Sequence, residues 1–137
     1  MIDKYKKYKQ GLVFGVFDGF HLGHQYFLTE ALKRSDKLVV VVTLDEVVEK
    51  LKKRLPTNSF AERAVKIKQY NSDLEVVPGD LVLGEWRVLQ VNFYDIIWLG
   101  YDQTGIAKEL DKLKITYKFL EAYEPETYKS SLLYNKD

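Results

Sequence analysis

Residues 11–24 read GLVFGVFDGFHLGH, an apolar run that leads into a glycine-containing turn and then into a pair of histidines. The apolar residues 11–17 predict a first β-strand. Apolar side chains recur at helical spacing between Phe27 and Leu32, which predicts a helix over about residues 21–34. The stretch therefore predicts a strand that passes through a tight turn directly into a helix.

Strand and helix patterns alternate through the rest of the chain. Four consecutive valines begin at Val39, and an unbroken β-branched run is typical of a strand buried on both faces. The further predicted elements are a strand at 37–44, helices at 45–52 and 60–70, a weak strand at 74–77, a strand at 95–100, a helix at about 106–113 and a strand at 115–120, with 80–92 unassigned. This alternation predicts an α/β fold with a parallel sheet. Ligands bind beyond the carboxyl ends of strands in such sheets, so a site is expected in the loops after Phe17, Leu44 and Leu99.

The composition is that of an ordinary globular protein and excludes several classes. The chain has 137 residues, of which 46% are hydrophobic and 30% charged, so we expect one domain over residues 1–137. A net charge of +1 gives no electrostatic case for nucleic acid as the main partner. The chain has no cysteine and no apolar stretch near the ~18 residues of a membrane span, so we expect no disulfide, no thiolate zinc site and no membrane partner. We expect a cytoplasmic protein.

The turn at residues 15–24 carries the residues that suit a phosphate. Gly15 allows close backbone approach, and the first turn of the following helix presents unpaired amides and a partial positive charge. His21 and His24 are three residues apart, so both side chains are expected on one face of that helix, toward the same anion. Asp18 has two open interpretations of equal weight, a cap of the helix or a functional carboxylate.

Four motifs in order resemble one family. The pattern Gly-x-Phe-Asp-x-x-His-x-Gly-His over residues 15–24 resembles the signature of the nucleotidyltransferase superfamily with the H-x-G-H motif, the cytidylyltransferase-like proteins. Residues 50–56 (KLKKRLP) with Arg63 resemble its basic loop and downstream arginine. Residues 99–103 (LGYDQ) resemble archaeal FAD synthetases, and residues 128–131 (YKSS) resemble the terminal serine motif. The resemblance implies a Rossmann-like, HUP-type three-layer sandwich with about five parallel strands.

The resemblance also implies a reaction and a site. An acceptor phosphate attacks the α-phosphate of ATP or CTP, pyrophosphate leaves, and Mg²⁺ is expected on the phosphates. His21 and His24 are the implied catalytic residues. The implied nucleotide-binding residues are Gly15, Val16, Phe17, His21, Gly23, His24, Gly100, Asp102, Tyr128, Ser130 and Ser131. The implied acceptor-phosphate residues are Asp18, Lys52, Arg54 and Arg63, and the implied metal ligands are Asp18 and Asp102.

The sequence does not fix which phosphate compound is the acceptor. FMN is favoured, which would make the product FAD. A sugar or polyol phosphate, such as glycerol-3-phosphate or a heptose phosphate, and phosphopantetheine are the alternatives in the same reaction class. A nucleotide-binding module without turnover is the alternative from a different class. A homodimer is a family expectation, because nothing in the sequence bears on assembly.

Overall fold

A five-stranded parallel sheet forms the centre of the protein. The computed structural model describes residues 8–81, 85–91 and 94–121. The strands are β1 (Tyr8–Gly15), β2 (Ser35–Val42), β3 (Glu75–Pro78), β4 (Ile96–Leu99) and β5 (Tyr117–Phe119). Their order across the sheet is β3-β2-β1-β4-β5, and all four pairings are parallel. The predicted parallel sheet of about five strands is confirmed.

Helices cover both faces of this sheet. They are α1 (Leu22–Lys33), α2 (Asp45–Lys52), α3 (Phe60–Tyr70), α4 (Val88–Val91) and α5 (Thr104–Lys112). On one face, Leu28 of α1 and Ile67 of α3 pack into a buried cluster with strand side chains. On the other face, Val88 of α4 and Leu110 of α5 do the same. The molecule is therefore a three-layer α/β sandwich, and burial of these apolar side chains stabilises it.

Two predicted strands are displaced from their predicted positions. The first begins at Tyr8 and not at residue 11, because Tyr8 pairs with Ser35 and extends the ladder between β1 and β2. The strand predicted at 37–44 spans Ser35–Val42, because Leu44 is already the N-cap of α2. The polar residues at the start of each strand concealed these boundaries from the pattern of apolar residues.

The predicted helices agree closely with the structure. Helix α3 begins with a capping box in which the Ser59 hydroxyl accepts from the Glu62 amide and the Glu62 carboxylate accepts from the Ser59 amide. The unassigned segment 80–92 contains the short helix α4. Within the described ranges, no helix is long and apolar enough to cross a membrane.

Candidate active site

A cleft of about 560 Å³ opens at the carboxyl edge of the sheet. β1 leads through α1 to β2 on one side of it, whereas β4 lies on its other side, so the strand order reverses between β1 and β4. Such a reversal is where parallel α/β sheets bind ligands. The lining residues are 14–19, 21, 23, 24, 26, 27, 52, 54, 57, 100–103, 120 and 121.

The turn between β1 and α1 is held in an unusual backbone conformation by buried aromatic rings. Phe17, Gly19 and Phe20 have φ angles of 56°, 78° and 42°. This region is costly for a phenylalanine, but the side chains of Phe17 and Phe20 are only 4% and 8% exposed and anchor the turn in the core. A Cβ at Gly15 would lie 2.7 Å from the Phe17 ring, so Gly15 is required by this packing.

The two histidines stack on each other beside this turn. Their ring centroids are 3.7 Å apart with an interplanar angle of 19°. His21 is the N-cap of α1, and its Nδ1 accepts a hydrogen bond from the Gly23 amide at 3.1 Å. The proton of the neutral His21 ring is therefore on Nε2. The His24 ring packs between Phe17 and Phe20, at centroid distances of 5.4 and 6.3 Å. The two side chains point the same way, as predicted, although His21 is the N-cap and not a residue of the helix itself.

His24 is a neutral imidazole near neutral pH. Burial, and then the charges of His21 and Lys52, lower the pKa of His24 from 6.5 to about 3, although Asp18 acts in the opposite direction. Its Nδ1 is buried without a hydrogen-bond partner in the described part of the chain. Buried polar atoms without a partner are rare in native proteins, and a catalytic role is one of their explanations. His24 therefore has hydrogen-bonding capacity that the fold itself does not use.

Two cations and a carboxylate also line the cleft. Lys52 ends α2, and Arg54 follows it in an exposed loop. The Asp18 carboxylate accepts from the backbone amides of Thr57 and Asn58, at 2.7 and 2.9 Å. Partial burial by itself raises the pKa of Asp18, but these two hydrogen bonds and the charge of Arg63 together lower it. Asp18 thus stays ionised and fastens the basic loop, whereas the cap of α1 is His21.

Arg63, which was expected at the acceptor phosphate, does not line the cleft. Its side chain is fully buried beneath the site. The guanidinium donates to the carbonyls of Val16 and Asn58 and pairs with the Asp45 carboxylate. The structure therefore brings Lys52 and Arg54 to the cleft together with the histidines, and places Arg63 behind them.

The turn between β4 and α5 forms another part of the lining. Gly100 and Asp102, which the resemblance assigns to nucleotide binding, line the cleft. Sequence reasoning assigned no role to Gln103, whose Oε1 accepts from the Gly100 amide at 2.9 Å while its Nε2 donates to the Phe14 carbonyl at 2.8 Å. Gln103 thereby ties the ends of β4 and β1 together. Its position in the LGYDQ segment was the available signal.

Sequence reasoning also missed further aromatic and apolar residues that line the cleft. They include Tyr26, Phe27, Tyr101 and Leu120, with the Glu121 carboxylate beside them. Burial, and then the charge of Glu30, raises the pKa of Tyr26, so its hydroxyl stays protonated. Tyr26 and Phe27 belong to the helical pattern of α1, where an apolar side chain that faces a cleft has the same spacing as one that faces the core.

The remaining predicted residues fall into two groups. Val16, Phe17 and Gly23 line the cleft. Tyr128, Ser130 and Ser131 lie outside the described residues. Among the residues that are described, no group of three or more histidine and acidic side chains could hold a metal ion. Asp18 and Asp102 are the carboxylates of the predicted metal site, and both line the cleft.

The sequence of this chain is similar to one family of known proteins. A family model described as cytidylyltransferase-like matches residues 12–136. The FAD synthase of Thermococcus sibiricus is 36% identical over 129 residues, which cover 89% of this chain and 87% of that protein. The FAD synthase of Thermococcus kodakarensis is 34% identical over 134 residues, which cover 95% of this chain and 88% of that protein.

Solved structures share the fold. A lipopolysaccharide core biosynthesis protein from Thermoplasma volcanium superposes with a TM-score of 0.66 at 30% identity, over 85% of this chain and 97% of that chain. A bifunctional NMN adenylyltransferase/ADP ribose pyrophosphatase from Francisella tularensis superposes with a TM-score of 0.60 at 16% identity, over 85% of this chain and 39% of that chain. The second similarity concerns the fold alone.

Proposed function

This chain belongs to the cytidylyltransferase-like family and is a nucleotidyltransferase, and we propose that it adenylylates FMN to make FAD. A phosphate oxygen of FMN forms a bond to the α-phosphorus of ATP. The bond between that phosphorus and the bridging oxygen to the β-phosphate breaks, and pyrophosphate leaves with the electron pair. The observation that carries the proposal is the stacked pair His21 and His24 in a cleft that also contains Lys52 and Arg54.

The histidines act by hydrogen bonding to phosphate oxygens. The FMN phosphate is already ionised near neutral pH, so the reaction needs no strong general base. The neutral His24 ring carries one N–H, and His21 keeps its proton on Nε2 because Nδ1 accepts from Gly23. Donors that are fixed before the reaction stabilise the charge that develops on the phosphate oxygens.

The lining of the cleft suits the two kinds of group in the substrates. Lys52 and Arg54 supply positive charge for the acceptor phosphate. Tyr26, Phe27 and Tyr101 offer flat apolar surfaces to an aromatic ring system. FMN and ATP each combine a phosphate with such a ring system. The similarity to FAD synthases over 87–88% of their length favours FMN as the acceptor.

Mg²⁺ fits the donor set of the cleft. Mg²⁺ is commonly held by one or two carboxylates together with substrate phosphates. Asp18 and Asp102 both line the cleft and would provide these carboxylates. The ion would neutralise negative charge on the triphosphate. We further propose a cytoplasmic enzyme formed by one domain, and a homodimer, which sedimentation would test.

The test measures pyrophosphate release for each combination of a nucleotide with an acceptor. ATP and CTP are each combined with FMN, phosphopantetheine, glycerol-3-phosphate and heptose-1-phosphate. We expect the highest kcat/KM with ATP and FMN, and FAD as the product by chromatography. Preference for a sugar or polyol phosphate would support the alternative that the lipopolysaccharide core biosynthesis relative favours. ATP binding without pyrophosphate release from any pair would contradict the proposal.

A further inference from the structure

Arg63 lies outside the cleft lining and connects three segments of the chain: the turn before α1, the loop before α3 and the start of α2. Its Nη1 donates to the carbonyl of Val16 at 2.9 Å, and its Nε donates to the carbonyl of Asn58 at 3.0 Å. Its Nη2 pairs with the carboxylate of Asp45, the first residue of α2. Val16 lies in the turn that precedes the histidines, and Asn58 lies in the loop that follows Lys52. The guanidinium therefore contacts both the turn and the loop without entering the cleft.

Asp18, which lines the cleft, joins the turn before α1 to the loop that follows Lys52. Its two carboxylate oxygens accept from the amides of Thr57 and Asn58. Asn58 is thus held by its amide to Asp18 and by its carbonyl to Arg63. These bonds connect parts of the chain 39 to 47 residues apart. Two independent connections between the same segments fix their separation better than either would alone.

The burial of Arg63 is difficult to explain by packing alone. A buried charge is costly unless its hydrogen bonds are satisfied. The neighbouring buried position of α3, Ile67, packs with an aliphatic side chain. The three bonds of Arg63 instead match the planar fork of a guanidinium, and a lysine could not make all of them at once. Two of these bonds hold the turn, through Val16, and the loop, through Asn58, and the third orients the guanidinium through Asp45.

We propose that Arg63 is a positioning residue that sets the basic loop against the phosphate-binding turn. Lys52 at the end of α2, and Arg54 and Thr57 of the loop, then line the same cleft as His21 and His24 and hold the attacking acceptor phosphate there. The inference depends on the proposed nucleotidyl transfer for its kinetic part. Asp45 orients the guanidinium from outside the cleft, because it is absent from the cleft lining.

The experiment compares R63M, R63K and D45N with the control K66M, which changes an exposed lysine of the same helix. In R63M we expect kcat/KM for the acceptor to fall about 100-fold, since small misplacements of reacting groups have effects of this size. ATP affinity should change less than about threefold, because Phe17 and Phe20 still anchor the turn. R63K should recover part of the loss. D45N, which retains every group of the cleft, should lower kcat/KM for the acceptor less than R63M does.

Hydrogen exchange provides a readout that does not depend on turnover. Amides of Thr57 and Asn58 should exchange faster in R63M and D45N than in K66M. Faster exchange together with an acceptor-specific kinetic loss supports the proposal. Unchanged exchange and kinetics in folded R63K and D45N would overturn it, as would an equal loss of ATP and acceptor binding. If the wild type releases no pyrophosphate, the proposed function fails, and exchange alone then decides whether Arg63 holds the loop.

Discussion

The turns after β1 and β4 lie side by side at the cleft, yet they are held in different ways. The first turn contains Phe17 and Phe20, whose buried rings maintain positive φ angles. The second turn exposes Tyr101 and Asp102, and the Gln103 side chain ties it to β1. One turn is thus part of the core, whereas the other is attached to the core.

This difference separates two tasks in the proposed reaction. Groups that stabilise a transition state must be fixed in advance, which core packing around His24 provides. Groups that admit and release a substrate benefit from a turn with fewer buried contacts. Changes in the first turn should therefore affect the rate, and changes in the second should affect nucleotide binding and local stability.

The largest effect is expected from His24→Ala or His21→Ala. Each removes one donor to the reacting phosphates, so kcat should fall about 10²–10³-fold, while the Kd of ATP changes far less. The comparison variant is Asp102→Ala in the second turn, which should raise the KM for ATP more than it lowers kcat. Steady-state pyrophosphate release and calorimetric ATP binding measure both quantities. Unchanged kcat in both histidine variants would remove them from the mechanism.

Matched glycine substitutions test how rigidly the two turns are held. In Gly15→Ala the new Cβ would meet the Phe17 ring at 2.7 Å, and this ring is enclosed by the core. We expect the free energy of unfolding to drop by about 1–3 kcal/mol, with lower activity. In Gly100→Ala the nearest atom is a carboxylate oxygen of the exposed Asp102, at 3.3 Å, which can rotate away. The free energy of unfolding of Gly100→Ala should therefore fall by less than about 0.5 kcal/mol. Urea unfolding measures both values, and an equal decrease in the two variants would contradict the view that the first turn is held more rigidly than the second.

Gln103 tests the attachment of the second turn. Gln103→Leu removes the side-chain partner of the Gly100 amide and of the Phe14 carbonyl. The free energy of unfolding should therefore fall by about 1–2 kcal/mol. The KM for ATP should rise with little change in kcat. Gln103→Glu keeps an acceptor for Gly100 but loses the donor to Phe14, so it should not restore the wild-type stability. Full stability of the Leu variant would show that the turn does not depend on this side chain.

The sequence predicts the framework of the cleft because local patterns encode it. The valine run beginning at Val39 indicates β2, and the apolar residues before Gly100 indicate β4. The spacing of His21 and His24 predicts that their side chains point the same way, and the two rings stack at 3.7 Å. Each of these inferences needs only neighbours within a few residues.

The connections between the turns could not be predicted in the same way. Asp18 reaches Thr57, and Gln103 reaches Phe14 across 89 positions, so both contacts exist only after the sheet has formed. Arg63 in the sequence has the pattern of an exposed or ligand-binding arginine in a helix. Its burial follows from tertiary packing, which places carbonyls of Val16 and Asn58 around it. Local patterns contain no signal for such burial.

The smallest effect concerns the pH dependence that the first turn imposes. The pKa of His24 is about 3 in the folded protein, below its ordinary value of 6.5, so between these values the unfolded chain binds one more proton. Stability should therefore decrease as the pH falls from 7 to 5.5, by about 1 kcal/mol from this residue. The lowered pKa values of Asp18 and Glu30 act only at more acidic pH, since their ordinary values are 3.8 and 4.5. Urea unfolding of the wild type and His24→Gln at both pH values isolates the contribution. A loss of equal size in the variant would mean that the packed turn does not exclude the proton.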